Sequence, residues 1–415
     1  MEYFVEPIEG FSGEMVAPPS KYITHRAIFI SSLKGGSIKN FSNSLDCISS
    51  IKAVEKLGSR VTIGNGEMEV QPIEEPRTGI VIDAGNSGTT ARFSAALSLL
   101  GREFNDITGD ESLRNRPMDD AELITKHVGG ILEFTDKKGY FPIRIRGPIS
   151  SFDLRIGGIK STQFISGMLI ASLKLDKGFR IAFEKEPDSM GYLITTVQML
   201  QKVGINYSLR DRSIFYLGKS ERLIDKFIIP GDFSSAAFFM VAALITNSSI
   251  KIKNLSSELY QPDSRIIDIL KQMCANIDVK GEIIEIRPSK LCGDTVDLRS
   301  TPDLFPIMAV LAASKEGVVR LIGSESLAYK ESNRLLTTLE MLKSMGVNAR
   351  LENNSLIVSG GIIRGGHVNS HGDHRIAMSA AIAGLASVEG VSIENFEAYK
   401  VSYPGFLDDL KVISG

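Results

Sequence analysis

The chain alternates apolar, helix-forming stretches with short polar openings at a nearly constant spacing. A polar or charged cluster precedes an apolar stretch rich in small residues six times, separated by 66 (87 − 21) to 74 (161 − 87) residues. Such a constant spacing indicates internal repeats of one structural unit. The predicted helix openings lie near Lys21, Ser87, Ser161, Asp232, Asp303 and Asp373.

A second series of small residues predicts where a second helix of each repeat ends. Glycine or another small residue after an apolar-periodic stretch is a typical C-terminal helix stop. We expect these stops at Gly58, Gly130, Gly204, Ala275, Gly346 and Gly415.

Strand-like segments fill the space between the helices. Alternating, β-branched residues predict strands at 249–255, 317–323, 355–361 and 391–396. Each repeat therefore predicts the order strand, helix, strand, helix, and one or two further strands. We expect an α/β fold of two domains, each with three such units around a buried core of first helices.

Two stretches rich in proline and glycine, 17–20 and 229–232, indicate where the chain passes between the domains. Domain I is then residues 1–17 with residues 231–415, and domain II is residues 18–230. The first segment would pack with the C-terminal half of the chain.

Composition excludes several classes of partner. The 47 basic and 49 acidic residues give a net charge of −2, so no overall field favours nucleic acid or an anionic membrane. The apolar stretches 236–245 and 376–388 are shorter than a membrane span, and the N-terminus lacks a secretory leader pattern. We expect a cytoplasmic monomer without nucleic-acid or membrane partners.

The three cysteines contain no CxxC pair. An odd number without metal-ligand spacing favours reduced thiols in the cytosol over a disulfide framework. We therefore predict that Cys47, Cys274 and Cys292 are buried packing residues.

Several helix openings carry groups that suit an anion. A helix start offers unpaired N–H groups and a partial positive charge, so converging starts would form an anion site. Lys21, His25 and Arg26 lie at one start, where an anion would relieve their conflict with the helix dipole. Gly85 and Gly88 flank another start, although a capped helix without ligand explains that segment equally well.

Nucleotide-binding fingerprints are absent. The segment Gly218–Ser220 reads GKS, but Ser213 stands where a P-loop needs its first glycine, and no GxGxxG occurs. His371, Asp373 and His374 are too few for a metal site because the remaining histidines are scattered. We expect neither a metal nor a cofactor.

Charged groups also precede the second helices. Arg114 and Arg116 lie in the segment 109–120. On a helix, Lys330 and Glu331 would both neighbour Arg334, which by itself is most simply an intrahelical ion pair. Asp303 by itself is most simply a helix N-cap.

The ordered set of motifs is more informative than any single one. SKxxxxR, GNSGTTxR, GD followed by RP, STQ, GDxSSAxFF, PDLFP, KESxR and GDHR span nearly the whole chain. In this order they resemble the enolpyruvyl transferase family. The resemblance implies an inside-out α/β barrel fold of two domains, each with three βαβαββ units, whose helix starts face an interdomain cleft.

The resemblance also implies a reaction of the shikimate pathway, which leads to the aromatic amino acids. The enolpyruvyl group of phosphoenolpyruvate would pass to the 5-hydroxyl of shikimate 3-phosphate by addition and elimination, with release of phosphate. The domains would close when both anions bind.

The same resemblance implies the site residues. Phosphoenolpyruvate would contact Lys21, Gly88, Arg116, Gln163, Arg334 and Arg375. Shikimate 3-phosphate would contact Lys21, Arg26, Ser161, Thr162, Gln163, Ser189, Tyr192, Asp303 and Lys330. The repeat that opens at Asp232 contributes no residue to either set.

Three of these residues would carry the proton transfers. Asp303 would be the base for the attacking hydroxyl, and Glu331 the acid that protonates the methylene carbon and later removes that proton. Lys21 would be a proton donor or charge stabiliser, and the division of roles between Glu331 and Lys21 is open.

The chain departs from the family pattern at three positions. Tyr22 replaces a serine, Asn333 an aspartate and Val401 a lysine, and Lys400 would point away from the position that Val401 occupies. Two alternatives are transfer to UDP-N-acetylglucosamine and non-catalytic binding of phosphorylated metabolites. The segment 109–120 lacks the cysteine common in the UDP-sugar enzymes.

Overall fold

The structure is a computed structural model and describes residues 1–414. The predicted stop at Gly415 lies outside these residues. The α-helices of the described chain are α1 (Lys21–Lys34), α2 (Leu45–Leu57), α3 (Gly88–Ser98), α4 (Glu111–Arg114), α5 (Asp119–His127), α6 (Gln163–Ala171), α7 (Met190–Lys202), α8 (Phe233–Ile245), α9 (Ile266–Gln272), α10 (Phe305–Ser314), α11 (Arg334–Ser344), α12 (His374–Leu385) and α13 (Phe406–Ser414). Short 3-10 helices span Ser172–Lys174, Pro262–Arg265, Pro302–Leu304, Glu325–Tyr329 and Phe396–Val401.

The strands are short and follow the repeats. They are β1 (Tyr3–Val5), β2 (Ser12–Val16), β3 (Gly36–Lys39), β4 (Arg60–Gly64), β5 (Glu67–Gln71), β6 (Val81–Asp83), β7 (Asn105–Thr108), β8 (Ile131–Phe134), β9 (Ile143–Arg146), β10 (Asp153–Ile156), β11 (Arg180–Phe183), β12 (Ile205–Arg210), β13 (Ser213–Lys219), β14 (Lys226–Ile228), β15 (Ser249–Lys253), β16 (Asn276–Lys280), β17 (Ile283–Arg287), β18 (Thr295–Asp297), β19 (Gly317–Ile322), β20 (Asn348–Glu352), β21 (Ser355–Gly360), β22 (Gly366–Asn369) and β23 (Val391–Glu394). The four predicted strands are therefore confirmed as β15, β19, β21 and β23.

The six predicted helix openings are confirmed. Helices α1, α3, α6, α8 and α12 begin within two residues of the predicted positions, and α10 follows the 3-10 turn that contains Asp303. Capping explains three of the starts, because the side chains of Ser87, Asp232 and Asp373 each accept a backbone N–H of the first helical turn.

Three repeats form complete four-stranded sheets with one shared topology. In β10-β11-β13-β12 the first pair is parallel and the other two pairs are antiparallel. The sheets β6-β7-β9-β8 and β18-β19-β21-β20 repeat this order. Because α6 and α7 connect β10 to β11 and β11 to β12, the chain order of the unit is βαβαββ.

The other repeats borrow a strand from a distant part of the chain. Strand β14 pairs in parallel with β3, and β2 pairs in parallel with β15, so each supplies the first strand of its sheet. In the last repeat β1 pairs antiparallel with β23, beside β22. The chain divides into one compact unit of residues 19–229 and a second of residues 1–18 with the described residues from Pro230 onward.

The first helices form the core of each unit. Helices α8, α10 and α12 contact one another, and almost all their residues are buried. In the other unit α3 packs closely on α6, where a Cβ on Gly167 would lie 2.7 Å from Cβ of Ala96. The starts of α10 and α12 also lie close together, since Nη2 of Arg375 is 3.4 Å from Oδ2 of Asp303.

The prediction for the cysteines is wrong in part. Cys274 and Cys292 form a disulfide, with Cα atoms 5.4 Å apart, and Cys47 alone is a buried free thiol among the described residues. The segment after α9 turns back so that the Cys292 N–H donates to the Met273 carbonyl, a proximity that cysteine spacing does not reveal. Within residues 1–414, no helix has both the length and the apolar character of a membrane span.

Candidate active site

In the unit that contains α8, α10 and α12, charged side chains converge on Arg334. This side chain is 1% exposed and donates to Asp303 Oδ1 at 2.7 Å, Glu331 Oε2 at 2.5 Å and Asp373 Oδ2 at 2.9 Å. Burial alone would lower the pKa of Arg334, but the carboxylates outweigh it and the pKa is raised. Arg334 is therefore a permanent cation that holds three acidic groups in place.

Asp303 connects Arg334 to two further cations. Its carboxylate lies 3.4 Å from Lys330 Nζ and 3.4 Å from Arg375 Nη2. The simple reading of Asp303 as an N-cap is wrong, since neither the 3-10 turn nor α10 has a side-chain cap. The structure thus brings together Asp303, Lys330, Glu331, Arg334 and Arg375, all of which were predicted site residues.

Glu331 and Lys330 do not lie on a helix with Arg334. Helix α11 begins at Arg334, and the Asn333 side chain accepts the Leu336 N–H as its N-cap. The interpretation as an ordinary intrahelical ion pair is therefore wrong. Lys330 and Glu331 occupy the preceding turn, where their orientation is set by Asp303 and Arg334.

Arg375 lies at the start of α12 and is buried. Its backbone N–H donates to Asp373 Oδ1 at 2.8 Å, and its guanidinium lies 5.9 Å from the Phe238 ring centroid. Burial lowers the pKa of Arg375, but the nearby carboxylates, with Asp303 foremost, together outweigh that effect and the pKa is raised. Its Nε has no hydrogen-bond partner within residues 1–414.

In the other unit, two guanidinium groups approach the start of α3. A Cβ on Gly88 would lie 2.9 Å from Nη1 of Arg92, 3.2 Å from Nη1 of Arg116 and 3.5 Å from Oε1 of Gln163. Arg116 also donates to Asn86 Oδ1 at 2.8 Å. Because a side chain at position 88 would fill this space, glycine allows the cations to approach the backbone N–H groups at the start of α3. Together these groups suit an anion.

Arg92 belongs to this cluster although it was absent from the predicted set. It donates to Gln163 Oε1 at 3.1 Å and to the Pro117 carbonyl at 2.7 Å. The signal was present in the sequence, because Arg92 ends the motif GNSGTTxR four residues after Gly88. At that spacing on a helix the two positions share a face.

The hydroxyl-rich starts of α6 and α7 lie side by side. Thr162 Oγ1 donates to Ser189 Oγ at 3.0 Å, and the Gln163 N–H donates to Ser161 Oγ at 3.3 Å. Gln163 Nε2 donates to Thr89 Oγ1 at 2.9 Å, which connects this group to α3. The predicted residues Ser161, Thr162, Gln163 and Ser189 therefore form one local cluster.

The two cations at the start of α1, Lys21 and Arg26, have different partners. Lys21 pairs with Asp46 at 2.7 Å, and both are largely buried. Arg26 is buried and donates to Thr196 Oγ1 and to the carbonyls of Tyr22 and Tyr192. Burial lowers the pKa of Arg26 to about 10. Arg26 therefore connects α1 to α7 inside the unit and remains charged at neutral pH.

His25 does not add a charge to this helix start. It is buried, and its Nδ1 lies 2.7 Å from Ser50 Oγ. Burial, and then the charges of Lys21 and Arg26, hold the pKa of His25 well below its usual range. The predicted cationic opening therefore contains two charged side chains at neutral pH.

The three departures occupy distinct places. The Tyr22 ring packs edge-on against Tyr192, with centroids 5.4 Å apart. Val401 ends the 3-10 helix Phe396–Val401, and Lys400 Nζ lies 5.9 Å from the Tyr399 ring centroid. Asn333 is the cap of α11.

A possible metal-binding group is already engaged with a cation. Ligand atoms of Glu331, Asp373 and His374 lie within 4.8 Å of one another. Both carboxylates bind Arg334, so a metal ion would have to compete with a buried guanidinium. His371, from the sequence trio, instead lies 3.1 Å from exposed Glu340.

Comparisons with known proteins agree over nearly the whole chain. The family described as EPSP synthase (3-phosphoshikimate 1-carboxyvinyltransferase) matches residues 5–410. Proteins named 3-phosphoshikimate 1-carboxyvinyltransferase are 36% identical in Methanococcoides burtonii, over 97% of this chain and 96% of the relative, and 35% identical in Aeropyrum pernix, over 96% and 92%.

The solved structures extend the agreement to the fold. An EPSP synthase from Acinetobacter baumannii aligns with TM-score 0.80 and 26% identity, over 100% of this chain and 98% of that one. The predicted fold class is confirmed. On these comparisons, this chain belongs to the EPSP synthase family.

Proposed function

We propose that this protein transfers the enolpyruvyl group of phosphoenolpyruvate to the 5-hydroxyl of shikimate 3-phosphate. The products are 5-enolpyruvylshikimate 3-phosphate and phosphate, as a step of aromatic amino-acid biosynthesis. Family membership supports the reaction. One observation supports placing the reaction at this site. Arg334 binds Asp303 and Glu331, so two acids lie beside three cations.

The reaction needs one proton to be added and one to be removed at the same carbon. The methylene carbon of the enol gains a proton, and the acceptor hydroxyl loses its proton as its oxygen attacks the adjacent carbon. Loss of a methyl proton and of phosphate from the adduct restores the double bond. An acid and a base must therefore act in turn.

Asp303 and Glu331 are suited to these steps. In the proposal Asp303 accepts the hydroxyl proton, and Glu331 protonates the methylene carbon and later removes the proton. Both are held by Arg334, which fixes their distance and orientation. Lys21 is the alternative proton donor, and its ammonium group forms an ion pair with Asp46.

The cations suit two substrates with several negative charges. Guanidinium groups bind carboxylate and phosphate in a bidentate manner, which favours Arg116, Arg334 and Arg375 for phosphoenolpyruvate. Lys21, Gly88 and Gln163 complete that set. Shikimate 3-phosphate is assigned to Lys21, Arg26, Ser161, Thr162, Gln163, Ser189, Tyr192, Asp303 and Lys330.

The proposal includes a cleft between the two predicted domains that closes on the ligands. Its support is chemical, because each unit supplies an incomplete site. One carries the acids and Arg334, and the other carries the cluster around Gly88 and the hydroxyls of α6 and α7. Both sets are needed for two anions and two proton transfers.

Phosphate release tests the function directly. Purified protein is mixed with phosphoenolpyruvate and either shikimate 3-phosphate or UDP-N-acetylglucosamine, and phosphate is measured over time. We expect phosphate release when the acceptor is shikimate 3-phosphate and none when it is UDP-N-acetylglucosamine. Phosphate release with UDP-N-acetylglucosamine and none with shikimate 3-phosphate would identify transfer to the UDP-sugar instead. Binding of phosphoenolpyruvate and shikimate 3-phosphate without phosphate release would identify a binding protein.

Cytoplasmic location and a monomeric state are further parts of the proposal. The charge of −2 and pI near 6.3 support a protein without nucleic-acid or anionic-membrane partners. Gel filtration with light scattering measures the oligomeric state. A mass near twice 45.2 kDa would contradict the monomer.

A further inference from the structure

The repeat that opens at Asp232 was the one without a predicted site residue, yet it places a buried acid beside the charge cluster. Asp263 lies in the 3-10 helix Pro262–Arg265, directly before α9. It is fully buried, at 0% exposure. In repeat order it stands where Lys330 and Glu331 stand in the next repeat, ahead of a second helix.

The carboxyl of Asp263 is fixed against the start of α8. Ser234 Oγ donates to its Oδ2, while Oδ1 has no hydrogen-bond partner in residues 1–414. Gln261 fastens the same turn, because its Oε1 accepts the Phe233 N–H at 3.3 Å and its Nε2 donates to the Gly231 carbonyl at 2.9 Å. These hydrogen bonds hold the Asp263 carboxyl in one position, so the packing of this turn determines which groups surround it.

The charged groups that face Asp263 come from three elements. They are Asp232 at the start of α8, Asp303 in the turn before α10 and Arg375 at the start of α12. Burial, followed by the charge of Asp303, raises the pKa of Asp263 to about 7, although Arg375 and Ser234 oppose this. A carboxylate with one donor would be poorly satisfied there, which agrees with a neutral acid.

The charge count explains why a neutral acid matters. Lys330, Arg334 and Arg375 are matched by the carboxylates of Asp303, Glu331 and Asp373. Asp232 already adds a further acid at the start of α8. Ionised Asp263 would add another buried negative charge beside Arg375, which would repel an anionic ligand and attract the guanidinium.

We propose that Asp263 is a positioning residue that acts through Arg375: as a neutral acid it leaves the Arg375 charge available to phosphoenolpyruvate, and its ionisation weakens that binding. This inference rests on the proposed function. Buried Nε of Arg375 and Oδ1 of Asp263 are both without hydrogen-bond partners among the described residues, so an ionised Asp263 would compete for that guanidinium.

The test compares KM for phosphoenolpyruvate with kcat over a range of about pH 6 to pH 8.5. In the wild type we expect KM to rise by roughly threefold or more as Asp263 ionises, with a smaller change in kcat. Asp263→Asn keeps the shape of the neutral acid, so its KM should lack this rise. Asp268→Asn, an exposed acid on α9, is the matched control and should follow the wild type.

A second variant keeps the test decisive if Asp263→Asn does not fold. Ser234→Ala removes the hydroxyl that favours the carboxylate, so the KM rise should move to higher pH. The same KM rise in Asp263→Asn, or an unmoved rise in Ser234→Ala, would overturn the inference. A merely structural role would change stability without changing the pH profile of KM.

Failure of the proposed function would be recognised separately. If the wild type releases no phosphate at any pH, that function is wrong, and calorimetric titration with phosphoenolpyruvate then tests the inference by binding alone. Affinity that falls with pH in the wild type and not in Asp263→Asn supports it. Equal pH dependence, or no binding to either protein, overturns it.

Discussion

Arg334 is the residue that organises the candidate site in its unit. It joins Asp303, 31 residues before it, to Asp373, 39 residues after it, and to its near neighbour Glu331. The motif KESxR indicated the contact with Glu331. The other two contacts depend on how α10, α11 and α12 pack, which no local spacing encodes.

Loss of either proposed proton-transfer group should abolish most turnover. We expect Asp303→Asn and Glu331→Gln each to lower kcat by roughly a hundredfold or more, because both amides keep the shape but cannot exchange the proton. Steady-state phosphate release measures the effect. Glu325→Gln, an exposed acid in the nearby 3-10 helix, should leave kcat unchanged. Near-normal rates in both site variants would contradict these roles.

The raised pKa of Asp263 also predicts an unusual dependence of stability on pH. Because its pKa is raised to about 7, the folded chain keeps a proton that the unfolded chain releases above about pH 4. The free energy of unfolding therefore falls as pH rises through this window, by up to about 4 kcal/mol at and above neutral pH.

Asp263→Asn should remove that loss. Urea unfolding at several pH values measures it, and the variant should gain stability relative to the wild type as pH rises from about 4 to about 7. A constant difference between the two proteins over this range would mean that Asp263 does not change protonation on folding.

At the scale of elements, close helix packing positions the site. Helix α6 contacts α3 where Gly167 faces Ala96 and Phe93, and a Cβ there would meet Phe93 Cα at 3.0 Å. This contact brings Gln163, at the start of α6, beside Gly88, at the start of α3. The apolar pattern predicted buried helices, but the partner of each helix face was not readable from it.

A methyl group at this contact should therefore destabilise the unit. We expect Gly167→Ala to lower the free energy of unfolding by about 1–3 kcal/mol, because backbone lies against the added carbon. Thermal denaturation measures it. Gly158→Ala is the control, since a Cβ there meets nothing within 4 Å. An unchanged Gly167→Ala would mean that α3 and α6 separate easily.

The disulfide gives a second prediction at this scale. It closes a loop over a sequence separation of 18 residues, so reduction should lower the free energy of unfolding by up to about 3 kcal/mol. Melting curves with and without dithiothreitol measure the change, and the Cys274→Ser, Cys292→Ser double variant should not respond to reductant. Burial raises the pKa of Cys47 to about 12, so that thiol should resist alkylation in the folded protein.

At the scale of the whole molecule, two crossings tie the repeats together. Strand β2 lies in one unit and is followed by α1 in the other, while β14 lies in the second unit and is followed by α8 in the first. The unit of residues 19–229 is therefore one continuous segment, whereas the other unit consists of two segments. In the two-segment unit, β2 pairs with β15 only after the chain has passed through the other unit. In the continuous unit, β3 pairs with β14 at the end of the same segment.

Domain closure is the prediction that belongs to this scale. In the proposal the two anions bind groups from both units, so their binding should draw the units together. Small-angle scattering should show a smaller radius of gyration with phosphoenolpyruvate and shikimate 3-phosphate than without ligands. Shikimate alone, which lacks the phosphate, is the control for ligand charge. Profiles unchanged by both substrates would contradict closure.

The sequence alone determined the repeats, the helix starts and most of the chemistry. Helix caps, apolar periodicity and the ordered motifs are local properties, so the sequence by itself placed Ser87, Asp232 and Asp373 at helix starts. The motifs from Lys21 to Arg375 also carried the family resemblance. These signals act over a few residues, where backbone hydrogen bonding and side-chain spacing decide the structure.

Only the tertiary structure decided which distant groups meet. It paired Cys274 with Cys292, turned Arg26 toward Thr196, placed Gln163 beside Arg92 and buried Asp263 beside Asp303. Each depends on packing between elements far apart in the chain. Burial and charge combine there to set protonation, because desolvation depends on everything that surrounds a group and not on its neighbours in sequence.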